Sequence, residues 1–536
     1  LSIQWLESFP YNYPRQQQIN VINDVLDSFR NGKKFAIIEC GTGVGKSAIG
    51  LTIAKEIIKD SSIQSDKENG AYFLTTQKIL QDQYEKDFSS KGLVSLYSSS
   101  NYTCGIDKNA TCKEIQVALR SNSLDKKYDS CNYNCCYKQK KKDLIEGKLG
   151  ITNFSYFLTE KNYSNKLPNK KILIIDEAHN LENELSRFIE ISVSQYFSEK
   201  ILKLSVPSDL STQQKTFKWI KEIYYPSVVS KNNFINEQLE KFGLTANKLE
   251  EFKKITSQLE ILSSHMKKIE QFLSIYDKDN WVFDIEETEN KYKKFIFKPI
   301  DVSAYAKQYL LGYADYVIFM SATIVSHEGF IEIIGLNKDE TLCIKEESPF
   351  DPEKSPIIFS PAGSMSSKNI EQTLPLMCKM IKEILKTHKS NKGIIHTHSL
   401  KVADYLIKNI KDQRLLLAHG SDRDKILQKH ISSKSNTVLI SPSMAEGVDL
   451  KGDLSEFQVI CKIPFPYLGD NLVRKKMNKW KWWYNTQTIR TIIQSVGRSI
   501  RNENDSAITY ILDDDWQKIR NNCYDILPKN FIKSLI

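Results

Sequence analysis

Short, uninterrupted apolar runs alternate with longer segments of mixed polarity along most of this chain. Residues 34–39 (KFAIIE) predict a short buried strand, a Gly-rich turn follows, and residues 47–59 predict a helix. Further strands are expected at 71–75, 171–176 and 316–320. The pattern then restarts, with strands expected at 393–397, 415–418, 437–441, 457–463 and 507–512. Apolar runs separated by helical segments indicate parallel sheets with crossover helices. The expected fold class is therefore α/β, with two parallel-sheet domains. Their boundary is placed near residues 335–360, where Pro349, Pro352, Pro356 and Pro361 cluster.

Two stretches fit neither sheet. Residues 95–145 are rich in Ser, Asn, Lys and Cys and show little apolar periodicity. Residues 183–290 are rich in Lys, Glu and Leu and read as helices, 247–276 for example. Both are expected to be insertions in the first domain. That domain is then 1–94, 146–182 and 291–345, and the second domain is 346–536.

Composition narrows the class without deciding it. The 536 residues suggest three or four domains at about 150 residues each. Charged residues make up 26% and apolar residues 40%, which excludes a globally disordered or collagen-like chain. No apolar run reaches the roughly 18 residues that cross a bilayer, so no membrane partner is expected. The segment 1–14 lacks a basic stretch followed by an apolar one, so no signal peptide is expected, and Leu1 implies that an initiator Met is missing. An intracellular location is expected, cytoplasmic in a prokaryote and nuclear in a eukaryote. The net charge of +10 suits either simple solubility or a nucleic-acid partner.

The sharpest chemistry lies at residues 39–47, ECGTGVGKS, directly after a strand and before a helix. That context makes a phosphate-binding loop. Gly41, Thr42, Gly43, Val44 and Gly45 would present backbone N–H groups to phosphates. Lys46 would supply a point charge, and Ser47 would hold Mg²⁺ on bound ATP. The strict pattern has Gly where this chain has Cys40. Asp176-Glu177-Ala178-His179 follows a second apolar run. A carboxylate at the carboxyl end of a parallel strand faces the ligand crevice. Asp176 suits the Mg²⁺ shell, and Glu177 suits the attacking water.

The motifs order themselves like those of a superfamily 2 helicase. Pro14-Arg15-Gln16 resembles a Q-motif, with Gln16 the adenine-reading residue and Gln17 and Gln18 leaving the register open. Thr75-Thr76-Gln77 with Leu80-Gln81-Asp82-Gln83 resembles motif Ia, and Ser321-Ala322-Thr323 resembles motif III. Glu446-Gly447-Val448-Asp449 resembles motif V, and the stretch from Gln494 to Arg501 resembles motif VI. Arg498 and Arg501 are three apart, so on a helix they would share a face and reach one γ-phosphate. The resemblance narrows to the XPD/DinG-like iron–sulfur helicases, which carry a four-Cys insertion between motifs Ia and II and a helical arch between II and III. The stretches 462–466 (KIPFP) and 512–516 (LDDDW) are also similar to that family. With no added nuclease domain in view, the chain resembles compact archaeal members. The resemblance implies two RecA-like motor domains, ATP-driven 5'-to-3' translocation on single-stranded and forked DNA, and a monomer. It also implies a role in DNA repair, nucleotide excision repair above all, with repair-complex proteins as partners.

Five of the ten cysteines fall within 33 residues: Cys104, Cys112, Cys131, Cys135 and Cys136. In an intracellular chain such a cluster points to metal or redox chemistry. Four thiolates hold either zinc or a cuboidal iron–sulfur cluster, and only one pair here is tight, which leans away from zinc. The resemblance implies a structural 4Fe-4S cluster on Cys104, Cys112, Cys131 and Cys135. Cys135 would open the family's Cys-Pro-Tyr turn, with Cys136 in the proline place. Such a cluster would pin an insertion too small to fold alone, and the insertion would act as a wedge at the duplex fork.

Arg474, Lys475, Lys476, Lys479, Trp480, Lys481, Trp482, Trp483 and Tyr484 form a basic, aromatic stretch. It suits either single-strand stacking or a packed helix leading into motif VI; the second is favoured, with Trp480 and the lysines the ones that could touch DNA. Two rival readings stand beside the helicase: an RNA-directed ATPase of DEAH type, and a scaffold with a vestigial motor. The four-Cys insertion opposes the first. Intact Lys46, Asp176, Glu177, Arg498 and Arg501 oppose the second.

Overall fold

The computed structural model describes residues 4–105, 108, 111–113, 115, 135–241, 249–443, 450, 452–500 and 502–536. The expected site residues Cys131, Glu446, Asp449 and Arg501 lie outside the described residues.

The first half of the chain begins with five strands, β1 (Phe35–Cys40), β2 (Glu68–Thr75), β3 (Leu93–Ser95), β4 (Leu149–Asn153) and β5 (Lys170–Asp176). Then come β6 (Ile191–Ser194), β7 (Trp281–Glu287) and β8 (Lys293–Pro299), followed by β9 (Tyr316–Ser321) and β10 (Thr341–Glu346). Seven of these form one parallel sheet in the order β10-β1-β9-β5-β2-β4-β3. Strands β1 and β5 are buried along nearly their whole length, which is why they read as continuous apolar runs. Even the two lysines that open β5 are buried. Lys170 donates to the carbonyl of Leu144 at 3.0 Å, and Lys171 to that of Asp60 at 3.0 Å.

The second half supplies β11 (Ile357–Gly363), β12 (Gly393–His396), β13 (Leu415–Leu417), β14 (Val438–Ser441), β15 (Phe457–Ile460) and β16 (Ile508–Asp513). They form a second parallel sheet in the order β11-β16-β15-β12-β14-β13. The α/β class with two parallel sheets is thus present, and each predicted strand lies within a residue or a few of an observed one.

Several elements differ from the sequence expectation. Residues 335–360 are not merely a linker, because β10 completes one edge of the first sheet and β11 opens one edge of the second. Pro361 sits inside β11, where an edge position leaves no ladder bond to lose. The helical insertion holds its expected long helices, Tyr225–Lys241 and Leu249–Ile275, but is not all helix. β6, β7 and β8 form an antiparallel sheet at its base, in the order β6-β8-β7. β6 pairs across a separation of about a hundred residues, which local periodicity does not reveal.

Candidate active site

The carboxyl ends of β1, β9 and β5 lie side by side, since Glu39 pairs with Ser321 and Met320 with Asp176. The phosphate loop, the Ser321–Thr323 segment and the Asp176-Glu177 pair therefore share one rim of the sheet.

The loop Gly41–Gly45 leaves β1 and enters the helix Lys46–Lys59. Gly43 and Gly45 have φ of 90° and 88°, a region that side-chain residues avoid. Space also demands glycine: the Phe350 ring occupies the side-chain position at Gly43, and the Gln18 amide does so at Gly45. Lys46 Nζ lies 3.4 Å from the Cys40 carbonyl, folded over the loop. The loop carbonyls are held from outside. Ser348 Oγ donates to the Thr42 carbonyl at 2.8 Å, and Arg15 donates to that of Gly43.

Asp176 is buried. Its carboxylate accepts from Tyr84 Oη at 3.0 Å and from the Glu177 N–H at 2.9 Å. Burial first, and then the neighbouring Glu177 charge, push this carboxyl above the usual carboxylate range, against the pull of Lys46. A cation would relieve that penalty, so Asp176 and the Ser47 hydroxyl fit Mg²⁺ by their chemistry. Glu177 has φ of 52°, a left-handed conformation that turns the chain at the strand end. Burial would raise its carboxyl, but His179, Lys46 and Arg498 outweigh burial and hold it below the usual range.

His179 links both halves of the chain. Its Nδ1 is 2.8 Å from Ser321 Oγ and 3.3 Å from Glu177 Oε2, and its Nε2 is 2.8 Å from Gln494 Nε2. His179 thus presents Nε2 to the Gln494 amide and Nδ1 to Ser321 and Glu177. Gln494 also donates to Thr323 Oγ1 at 3.2 Å. From the same helix, Trp483–Val496, Arg490 donates to the carbonyls of Thr323 at 3.1 Å and Ile324 at 3.2 Å. Sequence reasoning missed Arg490; the only signal was its place one helical turn before Gln494.

Three sequence expectations need correction or refinement. Arg498 does not lie on a helix face, because the helix stops at Val496 with Gly497 as its cap. Arg498 follows in a turn closed by its N–H to the Ser495 carbonyl, and its charge still reaches Glu177. The expected pairing with Arg501 lies outside the described residues. Gln16 is exposed and its side chain bonds to Asn20, whereas Gln18 is the buried glutamine beside the phosphate loop. In the basic, aromatic stretch, Trp480 and Lys476 are buried rather than presented to a polyanion. Lys476 pairs with Glu182, Trp483 Nε1 donates to the same carboxylate, and Lys479 pairs with Asp301. The packed-helix reading holds for these residues.

The cysteine region is described only in part. An antiparallel bridge joins Thr103 to Thr111, and the Cys112 N–H donates to the Tyr102 carbonyl at 2.7 Å. Cys104 and Cys112 are buried, and Cys112 Sγ lies 3.5 Å from Cys135 Sγ. Cys136, first residue of the helix Cys136–Glu146, is exposed. Among the described residues no three Cys, His, Asp or Glu side chains group closely enough to hold a metal ion. The Cys112–Cys135 thiol pair fits a thiolate-ligated group by donor chemistry.

Comparison with known proteins agrees with this geometry. Residues 381–531 match the family profile described as helicase C-terminal domain, and residues 12–205 match the one described as type III restriction enzyme, res subunit. A protein of Methanocaldococcus jannaschii named as a probable ATP-dependent helicase is 23% identical over 95% of this chain and 93% of its own length. The ATP-dependent DNA helicase XPD of Sulfolobus acidocaldarius is 21% identical over 94% of this chain and 96% of its own length. A solved XPD helicase superposes with a TM-score of 0.64 at 17% identity, covering 96% of this chain and 99% of that one. Its likeness extends the two parallel sheets described above to a pair of RecA-like domains. In motif order, near-full-length similarity and fold, the chain resembles the ATP-dependent DNA helicases named XPD and DinG.

Proposed function

We propose that this chain is an ATP-dependent DNA helicase that moves 5'-to-3' along single-stranded DNA. The observation that carries the reading is the convergence at one crevice of Lys46, Asp176 and Glu177 from the first sheet with Gln494 and Arg498 from the second half. ATP enters on the loop Gly41–Ser47, and Lys46 swings from the Cys40 carbonyl to the terminal phosphates. Ser47 and Asp176 would hold Mg²⁺, which would supply neutralisation of the phosphate charge. Glu177, kept ionised by its neighbours, orients and deprotonates the attacking water. Arg498 places its guanidinium against the charge that develops on the transferred group. In this reading Arg501, Glu446 and Asp449 complete the site from the second domain, and Gln18, the glutamine beside the phosphate loop, serves the adenine. Hydrolysis then loosens the Gln494 and Arg490 contacts, and the two domains separate.

Cys104, Cys112, Cys131 and Cys135 are the proposed ligands of a structural 4Fe-4S cluster beside the duplex fork. The short Cys112–Cys135 distance and the outward position of Cys136 support that choice of fourth ligand. The DNA substrate is supported by the relatives named as DNA helicases. The 5'-to-3' direction, a role in nucleotide excision repair and action as a monomer rest on family resemblance.

The test is strand displacement on forked duplexes bearing opposite single-stranded tails, with protein purified without air. ATP-dependent displacement is expected only when the 5' tail is present. Displacement confined to the 3' tail would reverse the polarity, and ATPase stimulated by RNA but not by DNA would move the protein to RNA remodelling.

A further inference from the structure

Glu39 lies one residue before the end of β1 and two before the phosphate loop. Its side chain is only 4% accessible. An acidic group so deeply buried requires partners, and Glu39 has two. Oε1 accepts the Val325 N–H at 3.0 Å. Oε2 lies 3.1 Å from His327 Nε2, off the line of a hydrogen bond. Both partners belong to the segment that follows Ser321-Ala322-Thr323.

Val325 has φ of 70°, a conformation that a β-branched residue rarely adopts. The bend needs an external hold, and the Glu39 carboxylate supplies it. The other side of the same three residues is held by the second half of the chain. Arg490 grips the carbonyls of Thr323 and Ile324, and Gln494 grips the Thr323 hydroxyl. The loop is thus clamped between the strand that feeds the phosphate loop and the helix that reaches His179.

We propose that Glu39 is a positioning residue for ATP hydrolysis, setting the Thr323–Val325 loop as the seat on which Arg490 and Gln494 dock. The proposal rests on the motor reading above. Glu39 touches no phosphate in this scheme, since its carboxylate is committed to Val325 and His327. It acts through the loop on Gln494, and through Gln494 on the orientation of His179 beside Glu177. Nucleotide binding depends on the loop Gly41–Ser47 and is left intact, whereas turnover depends on the seat.

The experiment measures kcat and KM for ATP with single-stranded DNA, fluorescent ADP affinity, and thermal melting on the full chain. The variants are Glu39→Ala, Glu39→Gln, Arg490→Ala and the double variants that combine Arg490→Ala with each Glu39 change. Glu39→Ala is expected to lose about 100-fold in kcat, with KM and ADP affinity within about twofold of wild type. Glu39→Gln keeps an acceptor for Val325 and should lie within about tenfold of wild type in kcat. Because both residues act on one loop, the Glu39→Ala, Arg490→Ala double variant should be no worse than the worse single one. Undiminished kcat in Glu39→Ala, a rise in KM alone, or strictly additive losses would overturn the proposal. Should Glu39→Ala not fold, Glu39→Gln decides: additivity with Arg490→Ala overturns it and non-additivity supports it. A wild type without ATPase sinks the motor reading and this proposal together, while an active wild type with an equally active Glu39→Ala sinks this proposal alone.

Discussion

The nucleotide crevice and the cysteine region are organised in opposite ways. At the crevice each charged group already has a protein partner: Asp176 has Tyr84 and a backbone N–H, and Glu177 has His179. These groups sit on the ends of strands buried in a seven-stranded sheet, so backbone packing sets their positions before any ligand arrives. Among its described residues, the cysteine region shows a bridge between Thr103 and Thr111, backbone bonds from Cys112 to Tyr102 and from Ile115 to Thr111, an ion pair between Lys113 and Glu260, and a thiol–thiol contact. In the reading proposed above, its order comes from the group that the thiols hold. In that reading one site is preorganised by a sheet, and the other is organised by its ligand.

The largest effect expected from breaking this contrast is at Lys46. Lys46→Ala should lower ATPase on single-stranded DNA by about 1,000-fold or more, because Lys46 is the phosphate loop's own charge on the terminal phosphates. The brown absorbance expected of the proposed cluster should be untouched, since it would depend on thiols elsewhere. Near wild-type turnover would show that the crevice is not the site of hydrolysis.

Cys104→Ser tests the other half. Iron should be lost and strand displacement abolished, while ATPase on single-stranded DNA should fall by less than about tenfold, because the sheet holds the crevice without the cluster. Equal loss of both activities would mean that the insertion supports the motor fold.

A smaller effect is expected at the buried pair beneath the phosphate loop. Burial works against charging His327, but Cys343 and Glu39 outweigh it and raise its pKa to about 9. A histidine with a raised folded pKa adds stability that is complete below its unfolded pKa of about 6.5 and disappears as pH climbs through 9. Glu39 is held low in spite of burial, by His327 and then Lys345, so its own contribution fades only in acid. Denaturant titration should show about 3 kcal/mol lost between pH 6.5 and 9.5 beyond the loss seen in His327→Gln. Identical pH curves for the two proteins would mean that the pair is uncharged.

The smallest effect is expected at Cys136. Cys136→Ala should keep about four irons per chain, whereas Cys135→Ala should lose or destabilise them. The reverse result would make Cys136 the fourth ligand, and zinc in the wild type would remove the cluster from the comparison altogether.

What the sequence determined by itself was the part written locally. Buried parallel strands such as β5 are short apolar runs, and glycines at 43 and 45 mark the left-handed turns that a phosphate loop needs. The order of the motifs along the chain then pointed to the family. Only the tertiary structure decided what depends on distant partners. β6 and β8 find each other across the helical insertion, and β10 closes the first sheet from beyond the other strands, pairings that no local pattern encodes. Lys476 and Trp480 look like a nucleic-acid surface by composition, but packing takes them inside, where Glu182 offsets the lysine charge. Gln18, not Gln16, faces the loop because only one of two glutamines two residues apart on a helix can point at a given neighbour. Arg490 carries no motif, and its part in the crevice arises from a helix of the second half resting on a loop of the first.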